Sequence, residues 1–151
     1  MNVGEISQRN VVTVRDFDEL TAAAELMRER HVGSLVVVEA GFEPGSLRPI
    51  GIVTDRDIVV AVLAREADIR TLRVGDVMTR GPAVIQEDAQ MEDALREMRR
   101  VGVRRLPVIG SRGQLVGILS LDDLLDAIAA QLQEVAGSIR SELLIETVSR
   151  P

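Results

Sequence analysis

The sequence predicts an α+β fold in which two β-α-β-β-α units pack face to face as one pseudo-symmetric domain. Three observations predict it. Sliding the 151-residue chain on itself lays Val3-Gly4-Glu5-Ile6 over Val74-Gly75-Asp76-Val77, an offset of 71 residues. Within each copy, apolar residues at helical spacing alternate with short β-rich runs. A third pattern, Gly-x-x-[Ser/Thr]-x-x-Asp, recurs at Gly51 and at Gly117, the same place in both copies. Two copies are too few for a solenoid, so mutual burial of their apolar faces is the simpler architecture.

The elements follow in order. Val11 to Val14 is a β-rich run, and Leu20, Ala23, Ala24 and Met27 then fall on one helical face. Leu35 to Val38 is an apolar strand, and Ile50 to Val53 is its hairpin partner. The connection from Glu39 to Pro49 contains Gly41, Pro44, Gly45 and Pro49 and reads as a loop. A helix starts with Ile58 to Leu63. The second copy repeats the series with Ala83 to Ile85, then Met91, Ala94, Leu95 and Met98, then Leu106 to Ile109, Leu115 to Leu119, and a helix from about Leu121 to Gln133. Its hairpin turns through Gly110-Ser111-Arg112-Gly113, which accounts for the drop of the offset from 71 to 66 at Gly117. The first repeat therefore spans about 2–65 and the second about 73–133, in a module of residues 1–135. Residues 136–151 read as a partly helical tail, because Gly137 and Ser138 weaken a continuous helix. Its Ile139, Leu143, Leu144 and Val148 either pack back on the domain or cross to a neighbouring chain. Met27, Met91 and Met98 fall on helix faces as core residues.

Composition excludes whole classes of chemistry. The chain has no cysteine, one histidine (His31), and only arginine among its basic residues, so thiolate zinc sites, cysteine nucleophiles, Schiff-base lysines and two-histidine metal sites are out. No metal site and no catalytic residue is expected. Phe17 and Phe42 are the only aromatics and the net charge is −6, which opposes nucleic acid as a partner. The longest apolar run, Ile58 to Ala64, is far below the ~20 residues of a membrane span, and no leader pattern opens the chain, so the expected location is the cytoplasm. His31, alone between a helix and a strand, reads as a helix-end residue rather than a ligand or base.

The repeated junction carries the functional signal. The first copy reads Gly51-Ile52-Val53-Thr54-Asp55-Arg56-Asp57 and the second Gly117-Ile118-Leu119-Ser120-Leu121-Asp122-Asp123. A hydroxyl at a helix N-cap with an acid three residues on is a capping box, which by itself explains the pattern. The same geometry offers a hydroxyl to an anion and a carboxylate to paired ribose hydroxyls. The two readings are compatible; the cap alone is the simpler one for either motif in isolation, and two copies at matching places shift the balance toward the second.

These residues resemble a family. The duplicated pattern, the Val74-Gly75-Asp76-Val77-Met78-Thr79 opening, Val103-Arg104-Arg105-Leu106-Pro107-Val108 and the stretch at Gly51 resemble tandem CBS domains, a pair of which forms a Bateman module, over about residues 2–133. The resemblance implies two CBS repeats with pseudo-two-fold symmetry and two clefts that bind AMP, ADP, ATP, NAD or S-adenosylmethionine. It implies ribose acceptors at Asp57 and Asp123, and phosphate-facing hydroxyls at Thr54 and Ser120. It places Val32 and Val103 against adenine. Arg104 and Arg105 sit where relatives carry phosphate-binding basic residues, whereas the first copy has Gly33 and Ser34 there, so the clefts are expected to differ, with Arg105 serving the Ser120–Asp123 cleft. Against this, Arg104 and Arg105 with Arg99 and Arg100 also suit a helix end paired to surface carboxylates.

Three functions compete. The leading one is a stand-alone regulatory module that binds an adenine nucleotide, senses energy or metabolite state, forms a homodimer through apolar helix faces such as 58–63, and acts on an effector protein. A ligand-free dimerisation or scaffolding module is the second. The third is an enzyme using Asp55, Asp57, Asp122 and Asp123, ranked last because helix starts favour negative charge, the wrong direction for a general acid at neutral pH.

Overall fold

A computed structural model describes residues 1–149. The first half runs α1 (Val3–Ile6), β1 (Thr13–Arg15), α2 (Leu20–Arg30), β2 (Ser34–Ala40), β3 (Leu47–Thr54) and α3 (Asp55–Val59). The second runs α4 (Val74–Val77), β4 (Thr79–Arg80), β5 (Ile85–Gln86), α5 (Met91–Val101), β6 (Arg105–Ile109), β7 (Leu115–Ser120) and α6 (Leu121–Ser149). Two sheets result, ordered β1-β2-β3-β4 and β5-β6-β7. In each, the first strand pairs parallel with the second, and the second pairs antiparallel with the third. Even the irregularities match: a register shift lies between Val37 and Val38 in one hairpin and between Val108 and Ile109 in the other, 71 residues later.

Each sheet carries its own core. Val14, Leu20, Ala23, Met27, Leu35, Val37 and Val53 pack beneath the first, and Ala94, Met98, Leu106, Val108, Leu119 and Leu124 beneath the second. Fully burying one of the Val, Leu or Met side chains among them contributes about 1.5–3 kcal/mol. The α+β class, the paired repeats and the core role of Met27 and Met98 are as the sequence predicts.

The two opening turns are exchanged. Val3 is completely buried in the second core, and Val74 completely buried in the first. The backbone bonds repeat in pairs: Val3 and Gly4 donate to the Ala89 and Glu87 carbonyls at 2.8 Å each, and Val74 and Gly75 donate to those of Asp18 and Asp16 at 2.9 and 2.8 Å. Each repeat thus lends its first turn to the other, so neither core is closed by its own contiguous sequence.

Several boundaries differ from the sequence reading. The β-rich runs form β1 and β5 one or two residues late, because pairing to β2 and β6 selects the register rather than propensity. The hairpin loop shrinks to residues 41–46, since β2 and β3 extend through Ala40 and from Leu47. The second helix begins earlier, at Asp55, and passes into a π-helical turn at Val60–Ala64. The expected stop near Gln133 does not occur: α6 continues unbroken to Ser149. One glycine costs only about 1 kcal/mol in a helix, and Ser138 places its hydroxyl on the Glu134 carbonyl at 3.0 Å within the helix. Beyond the body this helix does not fold back, with Ile139 and Leu143 54% and 59% exposed. Residues 150 and 151 of the expected tail lie outside the described residues.

Candidate functional site

Both repeated junctions fold into reciprocal caps. At the end of β3, the Asp57 amide donates to Thr54 Oγ1 at 3.1 Å and the Thr54 amide donates to Asp57 Oδ2 at 2.9 Å. At the end of β7, the Asp123 amide donates to Ser120 Oγ at 3.0 Å and the Ser120 amide to Asp123 Oδ2 at 2.9 Å. The motif's leading glycine has a separate cause. A Cβ on Gly51 would stand 2.8 Å from the Thr79 carbonyl oxygen, and one on Gly117 2.8 Å from that of Gln8. Glycine is required because the exchanged segment of the other repeat passes over it.

The second oxygens of the two carboxylates differ. Gln8 Nε2 donates to Asp123 Oδ1 at 3.2 Å. Asp57 Oδ1 has no hydrogen-bond partner among the described residues.

Thr54 and Asp57 line a cavity of about 370 Å³ whose other wall comes from the second half: Thr79, Pro82, Ala83, Val101 and Val103. A larger groove of about 600 Å³ shares Ile52, Thr54 and Val103 with it and continues past Gly33, Ser34 and Arg56 to Arg104 and Arg105. Of the residues that the sequence selects, Thr54, Asp57, Gly33, Val103, Arg104 and Arg105 thus converge on one connected crevice. Val32 packs against the first core instead. Arg105 stands opposite Ser120 in the β6–β7 ladder, yet it lines the groove on the Thr54 side as well. Arg104 is held loosely by Asp122 at 3.7 Å, both side chains being more than 70% exposed, so this pair contributes little stability.

On the pseudo-symmetric side a cavity of about 510 Å³ is lined by Arg9, Val11, Val12, Thr13 and Arg30 and includes neither Ser120 nor Asp123. Sequence reasoning overlooked Gln8, Thr79, Val101 and Arg30. The 71-residue offset held the signal, since it aligns Gln8 with Thr79 and Arg30 with Val101. His31 caps α2 in the left-handed region at φ 54°, its amide on the Met27 carbonyl, as a helix-end residue does. Among the described residues, no group of three or more His, Asp or Glu is placed to hold a metal ion.

A family model for the CBS domain matches residues 3–64 and again residues 74–130. The chain belongs to the CBS-domain family. It is a tandem CBS pair, the regulatory module that the duplicated fold forms. The CBS domain-containing protein YhcV of Bacillus subtilis is 34% identical over 137 residues, covering 91% of each protein. Hypoxic response protein 1 of Mycobacterium tuberculosis is 35% identical over 120 residues, 80% of each. A crystal structure of Hypoxic Response Protein I with two coordinated zinc ions superposes with a TM-score of 0.70 at 30% identity, over 83% of this chain and 98% of the other. CBSX2, solved in complex with AMP, superposes with a TM-score of 0.71 at 28% identity, over 87% of this CBS pair and 98% of that chain.

Proposed function

We propose that this CBS pair is a sensor that takes an adenine nucleotide, AMP, ADP, ATP or NAD, in the crevice between its repeats, and that it has no chemistry of its own. The observation that carries the reading is the cavity at Thr54 and Asp57, whose two walls come from different repeats. Asp57 Oδ1 and the Thr54 hydroxyl face a ribose and its phosphate, and Val103, Ala83 and Pro82 supply the apolar surface for a purine. Arg104 and Arg105, in the connecting groove, are fork-shaped donors suited to phosphate. AMP on the related CBSX2 supports the ligand class. Because a ligand touches both repeats, its binding energy biases their relative arrangement and so the surface offered to an effector protein.

The module acts as a homodimer in this reading. Val59 and Leu63, on the segment after β3, are 52% and 71% exposed, as is Leu125 on α6 at 56%, and a second copy would cover them. Size-exclusion chromatography with light scattering tests this: Leu63→Asp should halve the mass, and a wild-type monomer overturns it.

The reciprocal caps favour one competing reading, a ligand-free assembly module in which Thr54, Asp57, Ser120 and Asp123 only start helices. A thermal-shift series with AMP, ADP, ATP, NAD and S-adenosylmethionine separates the two. Ligand at a hundredfold excess over Kd adds about 2.7 kcal/mol, and each kcal/mol raises Tm by roughly 2–4 °C at this size. A rise of several degrees with an adenine nucleotide is expected. Rise with S-adenosylmethionine alone reassigns the ligand, and no rise with any of the five overturns the sensor reading.

A further inference from the structure

The two strand–helix junctions share a motif but not a state, and we infer that Gln8 sets the order in which they take ligand: it occupies Asp123, so that nucleotide enters at Asp57 first and at Asp123 only once Gln8 is displaced. The inference rests on the nucleotide reading above and deepens it.

The two capping boxes are equivalent to within 0.1 Å in both hydrogen bonds. What differs is the outward carboxylate oxygen, the one a vicinal diol would use. On Asp123 it already accepts from Gln8 Nε2. At the place corresponding to Gln8 by the 71-residue offset stands Thr79, whose shorter side chain lines the Asp57 cavity and makes no bond to that carboxylate among the described residues. Gln8 is also anchored. Its amide donates to the Ile118 carbonyl and its carbonyl accepts from the Ile118 amide, each at 2.9 Å, so the backbone delivers the carboxamide to Asp123 from a fixed point. A diol arriving at Asp123 must replace a hydrogen bond to a charged group, whereas one arriving at Asp57 meets a carboxylate oxygen with no protein partner among the described residues. Such a bond is a matter of about tenfold in affinity. The cavities agree with this order, since Asp57 lines its cavity and Asp123 does not line the pseudo-symmetric one.

Isothermal titration of the nucleotide-free chain with AMP tests the inference. The wild type should show one tight equivalent per chain and a second weaker by about tenfold or more. Gln8→Ala, at an exposed side chain, should bring the second equivalent to an affinity comparable with the first. Asp123→Ala added to Gln8→Ala should remove that gained equivalent. Asp57→Asn, which keeps an acceptor for the Thr54 amide and so keeps the helix cap, should remove the tight equivalent. Equal filling of both sites in the wild type, a second site that Gln8→Ala does not strengthen, or a tight site that survives Asp57→Asn overturns the role of Gln8 while leaving nucleotide binding intact. A wild type that takes up no AMP fails earlier, at the nucleotide reading itself.

Discussion

The Gly117 Cα lies so close beneath Gln8 that a Cβ there would stand 2.8 Å from the Gln8 carbonyl oxygen. The same relationship joins Gly51 to Thr79. In both cases the obstacle is backbone held in its own hydrogen bonds, so the neighbour has little freedom to retreat.

Gly117→Ala should therefore destabilise the fold by about 1–3 kcal/mol, the usual cost of forcing atoms into a filled space. Urea unfolding at equilibrium checks it. Gly137→Ala is the control: nothing lies within 4 Å of a Cβ there, and added helix propensity should stabilise by up to about 1 kcal/mol.

Exchange of the opening turns makes a distant prediction. Val3→Ala should cost about 2 kcal/mol and should raise hydrogen exchange in β6 and β7, more than 100 residues away in sequence, before it does so in β2. Exchange measured by mass spectrometry distinguishes the two sheets. Val74→Ala should do the reverse.

His31 and Gly102 occupy corresponding helix ends, both left-handed, at φ 54° and 72°. Only glycine takes this conformation without a Cβ penalty of roughly 1–2 kcal/mol. His31→Gly should accordingly raise stability by about 1 kcal/mol, read as a higher urea midpoint with an unchanged m-value.

The start of α5 has a pH-dependent component. Asp93 accepts from the Gln90 amide, and Arg96 lies beside it; together these hold its carboxyl below the ordinary value of 3.8. A lowered carboxyl contributes stability above the unfolded value, and that contribution disappears as pH falls through the folded one. Acid unfolding monitored by circular dichroism should show a drop beginning below about pH 4, and Asp93→Asn should flatten that limb while leaving the profile at neutral pH unchanged in shape.

Much of the candidate site's geometry was legible because its signal is local. Thr54 with Asp57, and Ser120 with Asp123, sit three residues apart, and a hydroxyl three residues before an acid at the end of a strand is the signature of a capping box. Val103 and Arg104 follow a helix end and Arg105 opens β6, which fixes them at the crevice once the two repeats face each other. Gln8, Thr79 and Val101 carry no motif of their own. They matter through where the chain crosses, and Val32, read as a wall of the site, went to the core.

By itself the sequence determined the repeat, the order of its elements, the faces they bury and the two caps, because hydrophobic period and cap chemistry act over a few residues. Tertiary structure alone decided which core each opening turn enters. Val3 and Val74 stand at equivalent positions of near-equivalent repeats, so either core offers each of them the same apolar socket, and no local pattern distinguishes the near socket from the far one. The crossing that results lays Gln8 over Gly117 and its carboxamide on Asp123, and two junctions alike in sequence become two unlike carboxylates in space.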